Sequence, residues 1–146
     1  MSYTISEVAE LFDISAYTIR YYEKEGLLPF VTRNKAGNRE FTDSDINIFK
    51  TICCLKDTGM QIKEIRTYIN LVMEGSKTVT ERKALLLTHR QAVVSQIKSL
   101  EDNLTQIDEK IEVYQSPNAT EIINKQIKWM SLEKNQLGLQ SAFDKV

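Results

Sequence analysis

Residues 83–114 read KALLLTHRQAVVSQIKSLEDNLTQIDEKIEVY, and the spacing within them decides what the rest of the chain must do. From Leu86 onward, apolar residues stand at Val93, Ile97, Leu100, Leu104, Ile107, Ile111 and Tyr114, in steps of three and four once Arg90 is counted as a filled position. That is the seam of a coiled coil. No Pro or Gly occurs from Glu81 to Gln115, so the stretch can run as one helix of roughly 50 Å at about 1.5 Å per residue. A narrow apolar stripe of that length finds too little chain elsewhere to cover it, which predicts pairing with the same helix of a second copy, a homodimer. The alternative is an intramolecular hairpin, with the stripe packed on the C-terminal tail.

The 146 residues allow one small globular domain plus an elongated part, or two very small units. With 19 basic against 20 acidic side chains and an ordinary apolar share, the composition predicts order over most of the length. No run of about 18 apolar residues exists, and MSYTISEVAE lacks the basic and apolar regions of a signal peptide, so a cytoplasmic protein is expected. The two cysteines, Cys53 and Cys54, are adjacent. Helical neighbours point about 100° apart, which makes a disulfide between them a poor staple.

Near the N-terminus, Ser6 precedes Val8, Ala9, Leu11 and Phe12 and is expected to cap a first short helix. Asp13-Ile14 breaks the period; Ser15 then caps a second helix, AYTIRYYEKE, that ends at Gly26. Two short helices across a tight turn suggest a helix-turn-helix. Ile19, with Tyr22 or Glu23, falls toward the first helix, while Tyr17, Thr18, Arg20 and Tyr21 spread over the remaining surface, where guanidinium and hydroxyl groups can bond phosphate oxygens and base edges. LLPFVTRNKAGNREF follows, two short extended runs around Gly37-Asn38, read as a hairpin wing carrying Arg33, Lys35 and Arg39. Basic residues exceed acidic ones by three between Ala16 and Arg39, although the first 75 residues carry 9 basic and 11 acidic side chains. Support for nucleic-acid binding is therefore local.

Thr42 opens a third helix with Asp43 and Asp45 in its first turn, burying Ile46, Phe49, Ile52, Cys53 and Leu55 and stopping before Gly59. A fourth runs from about Gln61 to Glu74, with Ile62, Ile65, Ile69 and Val72 on one face. GSKTVT is read as a short polar link. Ser116-Pro117 ends the long helix, and a tail helix from Ala119 to about Leu137 carries Ile123, Ile127, Met130 and Leu137. The final GLQSAFDKV reads as weakly ordered.

The ordered strings TISEVAELFDISAYTIRYYEKEGLLP, RNKAGNREFTDSD and LKDTGMQIKEI strongly resemble the MerR family of transcription regulators over roughly the first 70 residues. The resemblance implies a mainly α fold: a winged helix-turn-helix DNA-binding head over 1–74, a link over 75–80, an antiparallel coiled-coil dimerisation helix over 81–115 and a helical tail over 116–146. It further implies a non-enzymatic homodimer joined through Leu86, Val93, Ile97, Leu100, Leu104, Ile107 and Ile111, binding double-stranded promoter DNA. Such dimers bend and untwist an overlong promoter spacer so that RNA polymerase engages both promoter elements. By motif position, Tyr17, Thr18, Arg20 and Tyr22 serve the recognition helix and Arg33, Asn38 and Arg39 the wing. Asn38 departs from the family pattern, which usually has Tyr after the wing glycine.

What is sensed is narrowed by what the sequence lacks. No cysteine or histidine follows Tyr114, so the loop of the metal sensors is missing, and two cysteines cannot hold an iron-sulfur cluster within one chain. About 30 residues beyond the long helix are too few for a separate drug-binding domain, and no cofactor or metal is expected. On the third helix Cys53 falls on the core side and Cys54 on the polar side, with Lys50 and Lys56 near enough to favour thiolate. CLKDTGMQI resembles the aldehyde- and thiol-stress branch of the family, which implies Cys54 as the sensor of an electrophile or oxidant. His89 is expected to be solvated or dimer-facing. Two competing readings are a regulator that takes a small organic ligand against Trp129 and Met130 of the tail, and a coiled-coil interaction protein that binds no DNA. A thiol oxidoreductase is weakened by the absence of a Cys-x-x-Cys pair.

Overall fold

A computed structural model describes residues 1–144. The elements run β1 (Ser2–Tyr3), α1 (Ile5–Phe12), α2 (Ala16–Lys24), β2 (Thr32–Arg33), β3 (Arg39–Thr42), α3 (Asp43–Asp57), α4 (Ile62–Met73), a 3-10 turn (Gly75–Thr78), α5 (Val79–Gln115) and α6 (Ala119–Gln136). The chain divides into two compact units, one from Met1 to Val94 and one from Ser95 onward. Among the described residues no helix is long and apolar enough to cross a membrane.

In the first unit, the starts of α1, α2 and α3 are set by side-chain caps. Thr4 caps α1, accepting the Glu7 N–H at 3.2 Å while the Glu7 carboxylate accepts the Thr4 N–H at 3.4 Å. The expected cap at Ser6 is thus corrected: the T-x-x-E box outcompetes it, and Ser6 becomes the second helical residue. Ser15 caps α2 as expected, and Thr42 with Asp45 forms a second reciprocal box at α3. Helix ends repeat one device. Gly26 stands at φ +79° after α2, and the N–H groups of Gly26 and Leu27 return to the carbonyls of Glu23 and Tyr22. Asp13 does the same after α1 at φ 52°, a left-handed position that aspartate tolerates better than most residues.

The wing forms as expected, with Thr32 opposite Glu40 and Arg33 opposite Arg39. A third strand was not foreseen: β1 pairs antiparallel with β3, Tyr3 opposite Phe41, giving the order β1-β3-β2. The core gathers around Phe49 of α3. Its ring meets Phe12 edge-on at 4.8 Å between centroids, and Tyr22 and Phe41 at 6.3 Å. Val8, Ile19, Leu27, Ile52, Ile65 and Ile69 are fully buried around it, each worth about 1.5 to 3 kcal/mol of transfer from water.

GSKTVT is not slack. Gly75–Thr78 is a 3-10 turn, α5 begins at Val79 rather than 81, and Thr78 is buried with its hydroxyl donating to the Leu71 carbonyl at 2.5 Å. Arg82 donates to the carbonyls of Val72 at 3.2 Å and Gly75 at 2.5 Å. Val72 stands in the last turn of α4, where carbonyls lack i+4 partners, and Gly75 opens the 3-10 turn.

α5 is one uninterrupted helix of 37 residues, and none of them is buried. Leu86 and Val93 are half-buried, but Ile97, Leu100, Leu104, Ile107 and Ile111 are exposed, Leu100 by 68 %. In the second unit, α6 matches its expected span. It closes on the same glycine device at Gly138, with the Leu139 N–H returning to the Lys134 carbonyl at 2.8 Å. The weak order expected after it is corrected over 138–144. Ser141 is 3 % exposed, accepts a bond from the Ser131 hydroxyl at 2.9 Å and accepts the Phe143 N–H. A pair of serines leaves no periodic signature, so the sequence did not announce it; Lys145 and Val146 lie outside the described residues.

Candidate nucleic-acid interface

Helix α2 presents its outer face because Ile19 and Tyr22 tie its inner face to the core. Tyr17 is 77 % exposed, and Arg20 and Tyr21 are exposed beside it. Thr18 is half-buried; its N–H donates to the Ser15 hydroxyl at 3.0 Å, and the two hydroxyls lie 2.9 Å apart. Tyr22 is corrected. It is 8 % exposed and its ring packs toward Phe49, with burial raising its phenol above the ordinary value. At a spacing of three, Tyr22 shares the face of Ile19 and goes inward with it, while Tyr21, not counted among the contacts, is the tyrosine left outside.

The wing turn is held by one side chain. Asn34 Oδ1 accepts the N–H groups of Ala36 at 3.0 Å and Asn38 at 3.1 Å. The N–H of Asn34 donates to the Asn38 carbonyl at 2.8 Å, and Gly37 takes φ +83°. Asn38 therefore has its backbone committed and its side chain at the surface. Arg33 donates to the Gly37 carbonyl at 2.7 Å and reaches Glu23 of α2 at 3.5 Å. Arg39 pairs with the same Glu23 carboxylate, and its side chain is only 18 % exposed. Glu23 thus fastens the wing to α2 and takes up part of the positive charge that the sequence counts there. Between them lies a cleft of about 390 Å³ whose lining includes Arg20, Arg33, Asn38 and Arg39. Four of the seven expected contacts meet there; Tyr17 and Thr18 lie on α2 outside its lining, and Tyr22 is in the core.

A residue without an assigned role completes the frame. Arg66 of α4 donates through Nε to the Glu25 carbonyl at 2.5 Å and through Nη2 to the Glu25 carboxylate at 2.9 Å, closing the end of α2. Forty-one positions separate the partners, so local pattern could not reveal the pair. Gln61, which caps α4 without a side-chain bond, and Lys63 are both exposed.

The two cysteines divide as expected. Cys54 is exposed, while Cys53 packs at the core edge, where burial and then Asp57 push its thiol up to about 11. Among the described residues no cluster of three or more His, Cys, Asp or Glu could hold a metal ion.

Residues 3–71 match the family model described as MerR HTH family regulatory protein, and residues 47–110 match the model described as MerR, DNA binding. An uncharacterised HTH-type transcriptional regulator of Haemophilus influenzae is 41 % identical over 119 residues, which is 82 % of this chain and 88 % of that one. The regulator AdhR of Bacillus subtilis is 38 % identical over 90 residues, 62 % of this chain and 64 % of that protein. Among solved structures, HiNmlR, a MerR family regulator lacking the sensor domain and bound to promoter DNA, superposes with a TM-score of 0.74. That match is 41 % identical and covers 82 % of this chain and 94 % of that chain. A MerR family regulator from Bacillus thuringiensis matches at 0.73 with 39 % identity, over 77 % and 98 % of the two chains. These relatives are transcription regulators and not enzymes; with the outward face of α2 and its wing, they establish that this chain belongs to the MerR family of DNA-binding transcription regulators.

Proposed function

We propose that the regulator works as a homodimer joined through α5, in the cytoplasm, on a promoter site with two-fold symmetry. The observation that carries this is the row Ile97, Leu100, Leu104, Ile107 and Ile111, exposed at coiled-coil spacing along a continuous helix. Heads fixed to opposite ends of a paired helix reach two half-sites together, and straining the intervening duplex costs of order 1 to 6 kcal/mol, offset by contacts made only in the bent state. The bent promoter is the form RNA polymerase engages. In this reading Tyr17, Thr18 and Arg20 approach the groove, Arg33, Asn38 and Arg39 the flanking backbone, and Gln61 and Lys63 a phosphate at the start of α4. The head is the segment 1–74, with 75–80 as its elbow, 81–115 as the pairing helix and 116–146 as the tail.

The signal enters at Cys54. Its thiolate adds to the carbonyl carbon of an aldehyde, the π pair moves to oxygen, and the oxygen takes up the proton the thiol released, giving a hemithioacetal. Exposure of Cys54 beside a half-buried Cys53 supports the choice between the two. One experiment tests both parts: end-labelled promoter fragments report bending by energy transfer, before and after aldehyde, for wild type, Arg20→Ala and Cys54→Ser. Arg20→Ala should lose about tenfold in affinity with a shallower salt slope. Cys54→Ser should bind and bend normally yet ignore the aldehyde. A full aldehyde response in Cys54→Ser, or salt-independent binding by the wild type, would overturn the corresponding part.

A further inference from the structure

Arg90 interrupts the apolar stripe of α5, and among the described residues no hydrogen bond or ion pair reaches its guanidinium. The same holds for the exposed Asp108 further along the helix. His89, expected in solvent or at the dimer, is instead half-buried, with Nε2 2.7 Å from the Thr58 hydroxyl of the head. Arg90 is exposed and lines a groove of about 440 Å³ whose walls include Tyr68, Val79, Leu86 and Leu87, with Lys83 beside them. An apolar groove that carries unpaired cations suits an apolar segment that brings carboxylates.

Such a segment is the other end of the same helix. From Val79 to Ser99, α5 carries four basic residues and one acidic; from Glu101 to Gln115 it carries one basic and five acidic. The stripe reads alike in both directions about Leu100: Leu86 and Tyr114 stand fourteen residues to either side, Val93 and Ile107 seven. Two copies running in opposite directions and crossing at Leu100 therefore set apolar on apolar and the basic half on the acidic half. In that register Arg90 comes level with Lys110 of the second copy, two residues or about 3 Å along the axis from its Asp108. With Leu100 at heptad position d, Arg90 takes an a position and Asp108 the e position bordering the a row. In a two-fold antiparallel pair the e flanks of both helices lie on one side, and Lys110 falls on the opposite flank. Parallel copies would instead bring Arg90 against Arg90, two like charges in the seam.

We propose that Arg90 is the residue by which α5 recognises a second copy: its guanidinium pairs with Asp108 of that copy, whose Ile111 and Tyr114 fill the groove. This rests on the homodimer reading given above and adds to it the contact that fixes direction and register. Two-fold symmetry makes the contact twice. Within one chain the two residues are eighteen positions apart on one helix, about 27 Å, so coupling between them reports the meeting of two copies.

The test is sedimentation of the full-length protein over a concentration series, at low and at high salt. Arg90→Glu and Asp108→Arg should each weaken dimerisation by about 10- to 100-fold, most strongly at low salt. The double variant Arg90→Glu/Asp108→Arg and an equal mixture of the two single variants both restore opposite charges at each contact. Both should return to within about threefold of wild type. Leu87→Asp, which places a charge in the groove, should weaken dimerisation by a factor similar to that of the single variants. Single effects that multiply in the double variant, with a mixture that stays weak, overturn the Arg90–Asp108 contact while the dimer stands. A Leu87→Asp dimer as tight as wild type overturns the second copy as occupant of the groove and leaves it to a small ligand. A wild-type protein that sediments as a single chain at every concentration removes the homodimer reading itself, and this contact with it.

Discussion

The head and the far half of α5 are both helical and differ in what completes them. Around Phe49 the first unit buries aromatic rings and isoleucines from five elements, and it needs no other chain to do so. Beyond Val94, by contrast, the apolar residues of α5 lie at the surface in a row. The same hydrophobic effect is satisfied within the chain in one region; in the other, we propose, a second copy satisfies it. A closed core and an exposed row can be told apart by exposure alone, even when both consist of leucine and isoleucine.

The contrast breaks most sharply at Leu100 and Leu104. Replacing both with lysine should yield a monomer by sedimentation and cost about 10² to 10⁴-fold in promoter affinity, the advantage of linked binding, while the head's melting transition stays put. Phe49→Ala makes the opposite cut. It should destabilise the head by about 3 to 5 kcal/mol in denaturant titration, yet the chains should still sediment as dimers; loss of the dimer would show that the seam depends on the head after all.

Glu23→Gln sharpens the picture within the head. Removing the carboxylate shared by Arg33 and Arg39 should cost about 1 to 2 kcal/mol of stability, and should steepen the salt dependence of binding to arbitrary DNA as two cations are freed. The effect confined to the narrowest range of conditions belongs to Cys53. Its thiol is raised in the fold from the ordinary 9.0 to about 11, so the unfolded chain ionises first as pH rises. Its contribution is intact below pH 9 and is lost as pH climbs toward 11. Thermal melts of wild type and Cys53→Ala should therefore converge across that interval.

Local chemistry made much of this legible in the sequence. Ser15, Thr42, Gly26 and the Gly37 turn announce themselves through caps and punctuation, and the long helix through its period. Contacts between distant positions carried no such mark. Nothing adjacent to Glu23 says that it will hold two wing arginines, nothing near Arg66 says that it will close α2, and His89 gave no hint of Thr58. Tyr22 is a different kind of miss. Its spacing from Ile19 pointed inward, but the expectation drawn from the family's motif gave it a surface role that the packing against Phe49 overrides.

The grip of Arg82 at the start of α5 has a mechanical consequence. Its guanidinium holds the Thr78 hydroxyl and the carbonyls of Val72 and Gly75. The end of α4, the 3-10 turn and the first turn of α5 are thereby splinted, and a stretch that reads as a slack link becomes a stiff joint.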